Sequence, residues 1–402
     1  MAEIDPIQCA KCGACTVVCP VFQASGRESL SARGRLHLLE HFDPAQASAA
    51  YAEILSQCLL CGACSSVCAR SLDPPARFIA GRERLEKTAG CHVLLRAITR
   101  KALGNPALLA TIASLGHPLL DLLPADSGLR LRLGLPQNGP AVSAPPSEKT
   151  PGEQSRHPTL AFFPGCYATH LHREIGAATE RIAAAFTGNP PLIPKQQCCC
   201  GLAAENAGDT NAAKRLARQN ILAFAGDSLP ILTSCASCYS QLCRYPELLA
   251  DDPEWRAKAQ AFAGRLLEFS TFVAQAMEAD PAFHFAAPAT ARTVVYHDPC
   301  HLRFRSGITG PPREILRAIP GLRLSELPNG PQCCGQGGLF HLAQPELAAT
   351  IRSRLLYQLE QAAPDLVTTT CSGCLIHIQQ GLVHDPARSE VRHLAIVLAE
   401  LL

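Results

Sequence analysis

Aromatic residues are scarce in this chain. They make up 5% of 402 residues, with a single tryptophan, so a core has to be built mostly from leucine, alanine and valine. Charge of one sign is also scarce. A net charge of +2 gives no electrostatic footprint for nucleic acid. No apolar run approaches the roughly 18–20 residues that span a bilayer. No G-x-G-x-x-G follows a strand-like run, so the chain has no dinucleotide fingerprint of its own; the "GQGG" at 335–338 follows a double cysteine instead. Neither a signal-peptide pattern nor a twin-arginine motif precedes the first cysteine. A secreted disulfide scaffold is therefore not expected, and a reducing, cytoplasmic compartment is.

Cysteine is what the chain has in excess, with 21 residues. Eight lie near the N-terminus in two sets of equal spacing. Cys9, Cys12, Cys15 and Cys19 form one C-x2-C-x2-C-x3-C run, followed by Pro20. Cys58, Cys61, Cys64 and Cys68 form the other, followed by Ala69 where proline would be expected. Three thiolates two residues apart wrap one [4Fe–4S] cubane, and the fourth ligates the other cluster. We therefore assign Cys9, Cys12, Cys15 and Cys68 to cluster 1, and Cys58, Cys61, Cys64 and Cys19 to cluster 2. Structural zinc takes its ligands as two pairs, not as a repeated three-plus-one run.

The remaining sequence falls into segments. Residues 1–88 read as a ferredoxin-like module with helical patterning at "SARGRLHLLEHF" and "AQASAAYAEILSQC". Residues 89–135 read as a helical connector, and 136–158 as a flexible linker rich in Pro, Ser and Gly. Residues 159–285 and 286–402 are an internal duplication. Cys166, Cys199–Cys200–Gly201 and Cys235-x2-Cys238 recur as Cys300, Cys333–Cys334–Gly335 and Cys371-x2-Cys374, at offsets of 134, 134 and 136 residues. Each half has strand-like runs before its single cysteine ("TLAFF", "TVVYH") and before its CxxC ("LPILTSC", "DLVTTTC"). Helical stretches at 170–186, 209–225, 312–318 and 345–361 lie between. The expected fold is α+β multidomain: a helical two-cluster module followed by two α/β halves facing each other about a pseudo-two-fold axis.

Each half offers five cysteines at strand ends, where α/β sheets place their sites. An adjacent pair suits an open cluster better than a cubane. Three readings stand at this point: an iron–sulfur cluster in each half, a zinc or mixed-metal site, and a redox-active disulfide. The glycine after each pair is expected to let the backbone approach a cluster closely. Cys198 has Gln332 as its counterpart and is not expected to be a ligand. Cys91 and Cys243 have no counterparts and read as buried thiols.

The patterns C-x32-CCG-x33-CxxC and C-x32-CCG-x35-CxxC resemble the cysteine-rich CCG domain. With "CGACTVVCPVF", "ARGRLHLLE", "CLLCGACSSVC" and "YHDPCHLRF", nearly the whole chain resembles the iron–sulfur subunit of glycolate oxidase (glycolate/D-lactate dehydrogenase). The resemblance implies an electron-transfer subunit with no catalytic residue of its own. A partner FAD subunit would oxidise the 2-hydroxy acid, and electrons would pass to quinone or another acceptor. It also implies a hetero-oligomer, cytoplasmic or peripheral on the inner face of the membrane, with two [4Fe–4S] clusters and one or two further clusters, noncubane forms included. The complete CxxC pairs resemble the heterodisulfide reductase catalytic subunit, a thiol–disulfide reductase. The layout also resembles the iron–sulfur subunit of anaerobic glycerol-3-phosphate dehydrogenase.

Outside the cysteines, His297, Asp298 and His301 flank Cys300 and read either as tuners of a centre or as strand-end hydrogen-bonding groups. Arg33 and Arg35 read as partners of cluster charge or of a carboxylate. The basic stretch 92–103 reads as a membrane-surface helix or a packing helix, and 313–324 as a solvated face.

Overall fold

The computed structural model describes residues 8–43, 48–89, 158–383 and 389–402. The stretch at 92–103, Cys91, and nearly all of the expected connector and linker lie outside them.

Short helices build the N-terminal module. Ser31 caps the helix Ala32–His41 by accepting from Gly34 N–H, and Ser48 caps Ala49–Ser56 in the same way. These helices and Pro74–Ala89 enclose a small core of Leu36, Leu39, Leu55, Leu60 and Phe78.

The two C-terminal halves have one topology. In the first, β1 (Ala161–Phe162), β2 (Ile231–Thr233) and β3 (Leu266–Glu268) run parallel in that order, and Leu192 bridges the free edge of β1. In the second, β4 (Arg292–Tyr296), β5 (Leu322–Ser325), β6 (Leu366–Thr369) and β7 (Glu390–His393) lie in the order β5-β4-β6-β7, all parallel. The Leu192 bridge stands where β5 stands, so the two sheets match strand for strand. Strands β1, β2 and β6 are buried throughout, as parallel sheets covered by helices require, whereas β5 and β7 are partly exposed.

The halves are packed reciprocally. Helix Arg173–Thr187 of the first lies on Leu394–Glu400 of the second, and Phe269–Ala279 of the first lies on Gly310–Ala318 of the second. One apolar core joins Phe162, Ile182 and Phe269 to Ile315, Leu366 and Leu394. This exchange is what a pseudo-two-fold axis between the halves produces. The N-terminal module sits mainly on the second half. Helix Pro20–Ser25 packs on Pro345–Ala362, and Val21, Leu59 and Cys61 share a core with Phe340, Ala348 and Ile351.

The stretch 313–324 departs from a solvated face. Ile315 and Leu316 are buried, and Arg313 clasps the buried Asp298 with bonds of 2.9 and 2.7 Å. Among the described residues no helix is long and apolar enough to cross a membrane.

Candidate iron–sulfur centres

The two N-terminal cysteine runs fold alike. Lys11 and Leu60, each two residues after the first cysteine of its run, take φ of 53° and 55°. Non-glycine residues rarely adopt this conformation. Gly13 and Gly62 follow at φ 85° and cap the short helices Ala14–Val18 and Ala63–Ser66. Backbone N–H groups of Leu60 and Phe22 donate to Cys58 Sγ and Cys19 Sγ at 3.4 and 3.5 Å. Cys19 lies within electrostatic reach of Cys58, Cys61 and Cys64, so the last cysteine of the first run sits with the loop of the second. Cys9 and Cys15 are close to each other, and Cys12 is exposed. The segment after Cys68 is tied to the one before Cys9 by Arg70 donating to Gln8 at 2.8 Å. Cys15 also lies within reach of Cys64, which makes the two groups neighbours.

Buried cations surround the second of these groups. Arg35 is 0% exposed and Arg82 8%. Arg35 donates to the carbonyls of Leu30, Ile54 and Gln57. Arg82 donates to those of Leu55, Ser56, Cys58 and Asn206, which joins the module to the first half. Among the described residues neither has a carboxylate partner. Burial lowers the Arg82 guanidinium to about 10, and charge on Cys58 opposes that. Burial raises the thiols of Cys19, Cys61 and Cys64. Unpaired cations beside desolvated thiols are balanced when the thiols are held as thiolates. Arg33, by contrast, pairs with Glu28 at the surface.

In the C-terminal halves the cysteines form a continuous belt. Cys166 is within hydrogen-bonding reach of Cys199, Cys199 of Cys200, Cys200 of Cys238, and Cys238 of Cys235. Cys235 in turn reaches Cys371 across the interface. Beyond it Cys371 meets Cys374, Cys374 meets Cys334 at 3.2 Å, and Cys334 meets Cys333. Cys300 stands close to Cys333 and Cys334, and on its other side to Cys61. Through that contact the second half adjoins the N-terminal module.

Local structure explains the placement. Cys235 and Cys371 are the N-caps of Ala236–Cys243 and Ser372–Leu382, so Cys238 and Cys374 follow one turn later on the same face. The first N–H of the leading helix, Ala236, donates to Thr370 O of the other half at 2.8 Å. A Cβ added to either glycine after the double cysteines would face a helix, not sulfur. Gly201 and Gly335 take φ of +91° and +82°, and a Cβ on Gly335 would lie 2.5 Å from Ala348 O. At Gly335 the missing Cβ permits close approach of the helix Pro345–Ala362. The N–H groups of Gly201 and Gly335 donate to Cys199 Sγ and Cys333 Sγ at 3.5 and 3.3 Å.

The donor chemistry fits iron–sulfur binding. Hydrogen bonds from neighbouring thiols lower Cys199, Cys235 and Cys334, and the same bonds together with burial raise Cys166, Cys200, Cys238, Cys333 and Cys374. So many buried thiols cannot all ionise without a positive centre among them. Buried hydroxyls of Thr233, Ser234, Thr368 and Thr369, at the strand ends leading into Cys235 and Cys371, have no partner among the described residues.

Several residues near the belt were not singled out in the sequence. Ser237 Oγ lies 3.3 Å from Cys371 Sγ and 3.1 Å from His301 Nδ1. His377 Nδ1 lies 2.5 Å from Cys334 O. Arg305 donates to Leu60 O at 2.9 Å across the junction. His377 was within reach of sequence reasoning, being one turn beyond Cys374; the arginines carry no local signal. Burial lowers His301 to about 3, leaving it neutral. Cys198 is outside the belt, with its Sγ toward the carbonyls of Cys199 and Leu216. Cys243 is exposed, not buried as its sequence suggested.

Fold and thiol groups together define an iron–sulfur protein, a dicluster module joined to tandem cysteine-rich domains. Residues 6–72 match the 4Fe-4S dicluster domain, and residues 160–243 and 294–379 match the cysteine-rich (CCG) domain. The chain is 28% identical to the probable glycolate oxidase iron-sulfur subunit of Bacillus subtilis, covering 100% of this chain and 94% of that one. It is 24% identical to the glycolate oxidase iron-sulfur subunit of Escherichia coli, covering 97% and 93%. It is 30% identical to lactate utilization protein A of Geobacillus kaustophilus over 60% of this chain and 98% of that one. A hypothetical protein from Helicobacter pylori shares the fold, with a TM-score of 0.57 at 10% identity over 92% of this chain and 72% of that one. The chain belongs to the glycolate oxidase iron–sulfur subunit family, with two CCG domains.

Proposed function

We propose that this chain is the electron-transfer subunit of a flavin-dependent 2-hydroxy-acid dehydrogenase, with glycolate or D-lactate as the substrate class. Substrate oxidation would occur on a partner FAD subunit, and quinone or another acceptor would take the electrons. The chain would work in the cytoplasm, peripheral to the membrane where quinone is the acceptor. The observation that carries this reading is the succession of thiol groups, from exposed Cys12 through the neighbourhood of Cys61 and Cys300 to Cys166. The names of its relatives point the same way.

Cys9, Cys12, Cys15 and Cys68 would hold one [4Fe–4S] cluster, and Cys19, Cys58, Cys61 and Cys64 the second. Cys166, Cys199, Cys200, Cys235 and Cys238 would hold a third centre, and Cys300, Cys333, Cys334, Cys371 and Cys374 a fourth. Bound clusters would supply one-electron carriers. The chain's own residues set their surroundings. Arg35 and Arg82 supply fixed positive charge, which favours the more reduced state, and Leu60 and Phe22 supply amide donors. Burial of the CCG thiols excludes water, whereas the exposed Cys12 edge leaves an approach for a redox partner. The segments 1–88, 159–285 and 286–402 are proposed as the corresponding domains.

Native purification of the full-length chain from its source should retrieve a flavin-containing partner that reduces the bound centres when a 2-hydroxy acid is added. A lone chain that reduces disulfides with an artificial donor would overturn this in favour of a heterodisulfide-reductase-like activity. The complete pairs Cys235–Cys238 and Cys371–Cys374 are the observation that keeps that second reading in view.

A further inference from the structure

We propose that the imidazole of His297 is a nitrogen ligand to the metal centre of the second CCG domain. The inference rests on the reading of that domain as an iron–sulfur site. A ring nitrogen of His297, Cys334 Sγ and Cys374 Sγ all lie within 4.8 Å of one another. All three residues are buried, at 2%, 4% and 5% exposure. Three donors from separate elements thus converge at one water-excluded point: the end of β4, the double cysteine and the CxxC helix.

The position is rigidly built. His297 N–H donates to Thr368 O at 2.8 Å, extending the β4–β6 ladder. Asp298, the next residue, is locked by the two-pronged bond from Arg313. His377 holds the Cys334 carbonyl.

The first domain lacks this donor. Three residues before its single cysteine stands Phe163, at 0% exposure, where the second domain has His297. The single cysteines differ too. Cys166 lies in the α-helix Gly165–His170 within hydrogen-bonding reach of Cys199. Cys300 precedes a π-helical turn, His301–Arg305, and shows only longer-range proximity to Cys333, Cys334 and Cys61. The second domain therefore supplies a nitrogen donor where its single cysteine stands off. Imidazole in place of thiolate raises the reduction potential of an iron–sulfur centre, as in Rieske sites. Neutral imidazole is also a normal iron ligand.

The test is pulsed EPR on the full-length chain, loaded with iron and sulfide, reduced, and labelled with 15N-histidine. The expected result is a strong histidine 15N coupling of the size given by a directly bonded nitrogen. It should vanish in His297→Phe and His297→Cys, with iron content unchanged in His297→Cys. A second-domain centre with only the weak coupling of a hydrogen-bonded imidazole overturns the proposal and leaves the cluster assignment standing. Absence of any metal from the second domain overturns both. A labelled wild-type chain without strong coupling overturns the proposal even if neither variant folds, and a strong coupling that persists in either variant belongs to another of the fourteen histidines and overturns it as well.

Discussion

The two CCG domains share a strand order and five cysteine positions, yet the residues packed around those cysteines differ in kind. In the first, Phe163, Tyr167, Ala207 and Gln241 occupy the positions that His297, His301, His341 and His377 hold in the second. The double cysteine of the first is held by an amide and a phenol. Asn220 binds Cys198 N–H and Cys199 O, and Tyr245 binds Cys200 O. That of the second is held by His377. Duplication has kept the thiol scaffold and changed its polarity. The histidine-rich copy is the one that brings its single cysteine toward a cysteine of the N-terminal module, Cys300 beside Cys61.

The largest effect should come from removing one thiol in each copy. Cys238→Ser and Cys374→Ser are each expected to lower the iron content by about four per chain, since a [4Fe–4S] centre is lost, and to leave the other copy loaded. Iron and sulfide assays check this; loss of both centres in either variant would make the belt a single unit. Next in size is the ion pair that the second copy alone possesses. Its counterpart to Asp298 is Pro164. Asp298→Ala leaves Arg313 with Glu326 as its carboxylate partner and, by removing the buried charge-assisted bonds, should cost about 1.5–3 kcal/mol in denaturant unfolding. Asn220→Ala tests the matching support in the first copy. It removes hydrogen bonds of 2.8 and 3.0 Å to the cysteine backbone and should cost about 1–3 kcal/mol, with no effect on the signal of the second copy. Arg82→Gln removes fixed charge beside Cys58. It should lower the potential of that cubane in an EPR-monitored redox titration and leave the CCG centres unmoved. The smallest effect is expected at Cys198→Ala, which should leave iron content unchanged because its Sγ lies outside the belt.

Much of this was legible in the sequence because cysteine spacing is local. The eight ferredoxin-type cysteines, the ten duplicated ones, and the strands leading into Cys166, Cys235, Cys300 and Cys371 all follow from short-range pattern. The strands β3, β5 and β7 are not legible in the sequence, being three or four residues long with no motif attached. Arg313 was read as solvated, because a helix full of arginine gives no sign that one of them meets a buried Asp298 made elsewhere. Arg82 carries no sequence signal. Its partners are main-chain carbonyls, which leave no trace in residue identity. The asymmetry of the histidines was present in the sequence but became chemical only when β4 and the helix Ser372–Leu382 brought His297 to Cys334 and Cys374.

The most direct test of the account is anaerobic iron and sulfide quantification of the full-length chain, paired with Mössbauer and EPR spectra. Four occupied centres predict about sixteen irons per chain, at four per cluster, with signals of more than the cubane type. About eight irons with cubane signals alone would contradict it, leaving a two-cluster relay whose duplicated domains hold no iron.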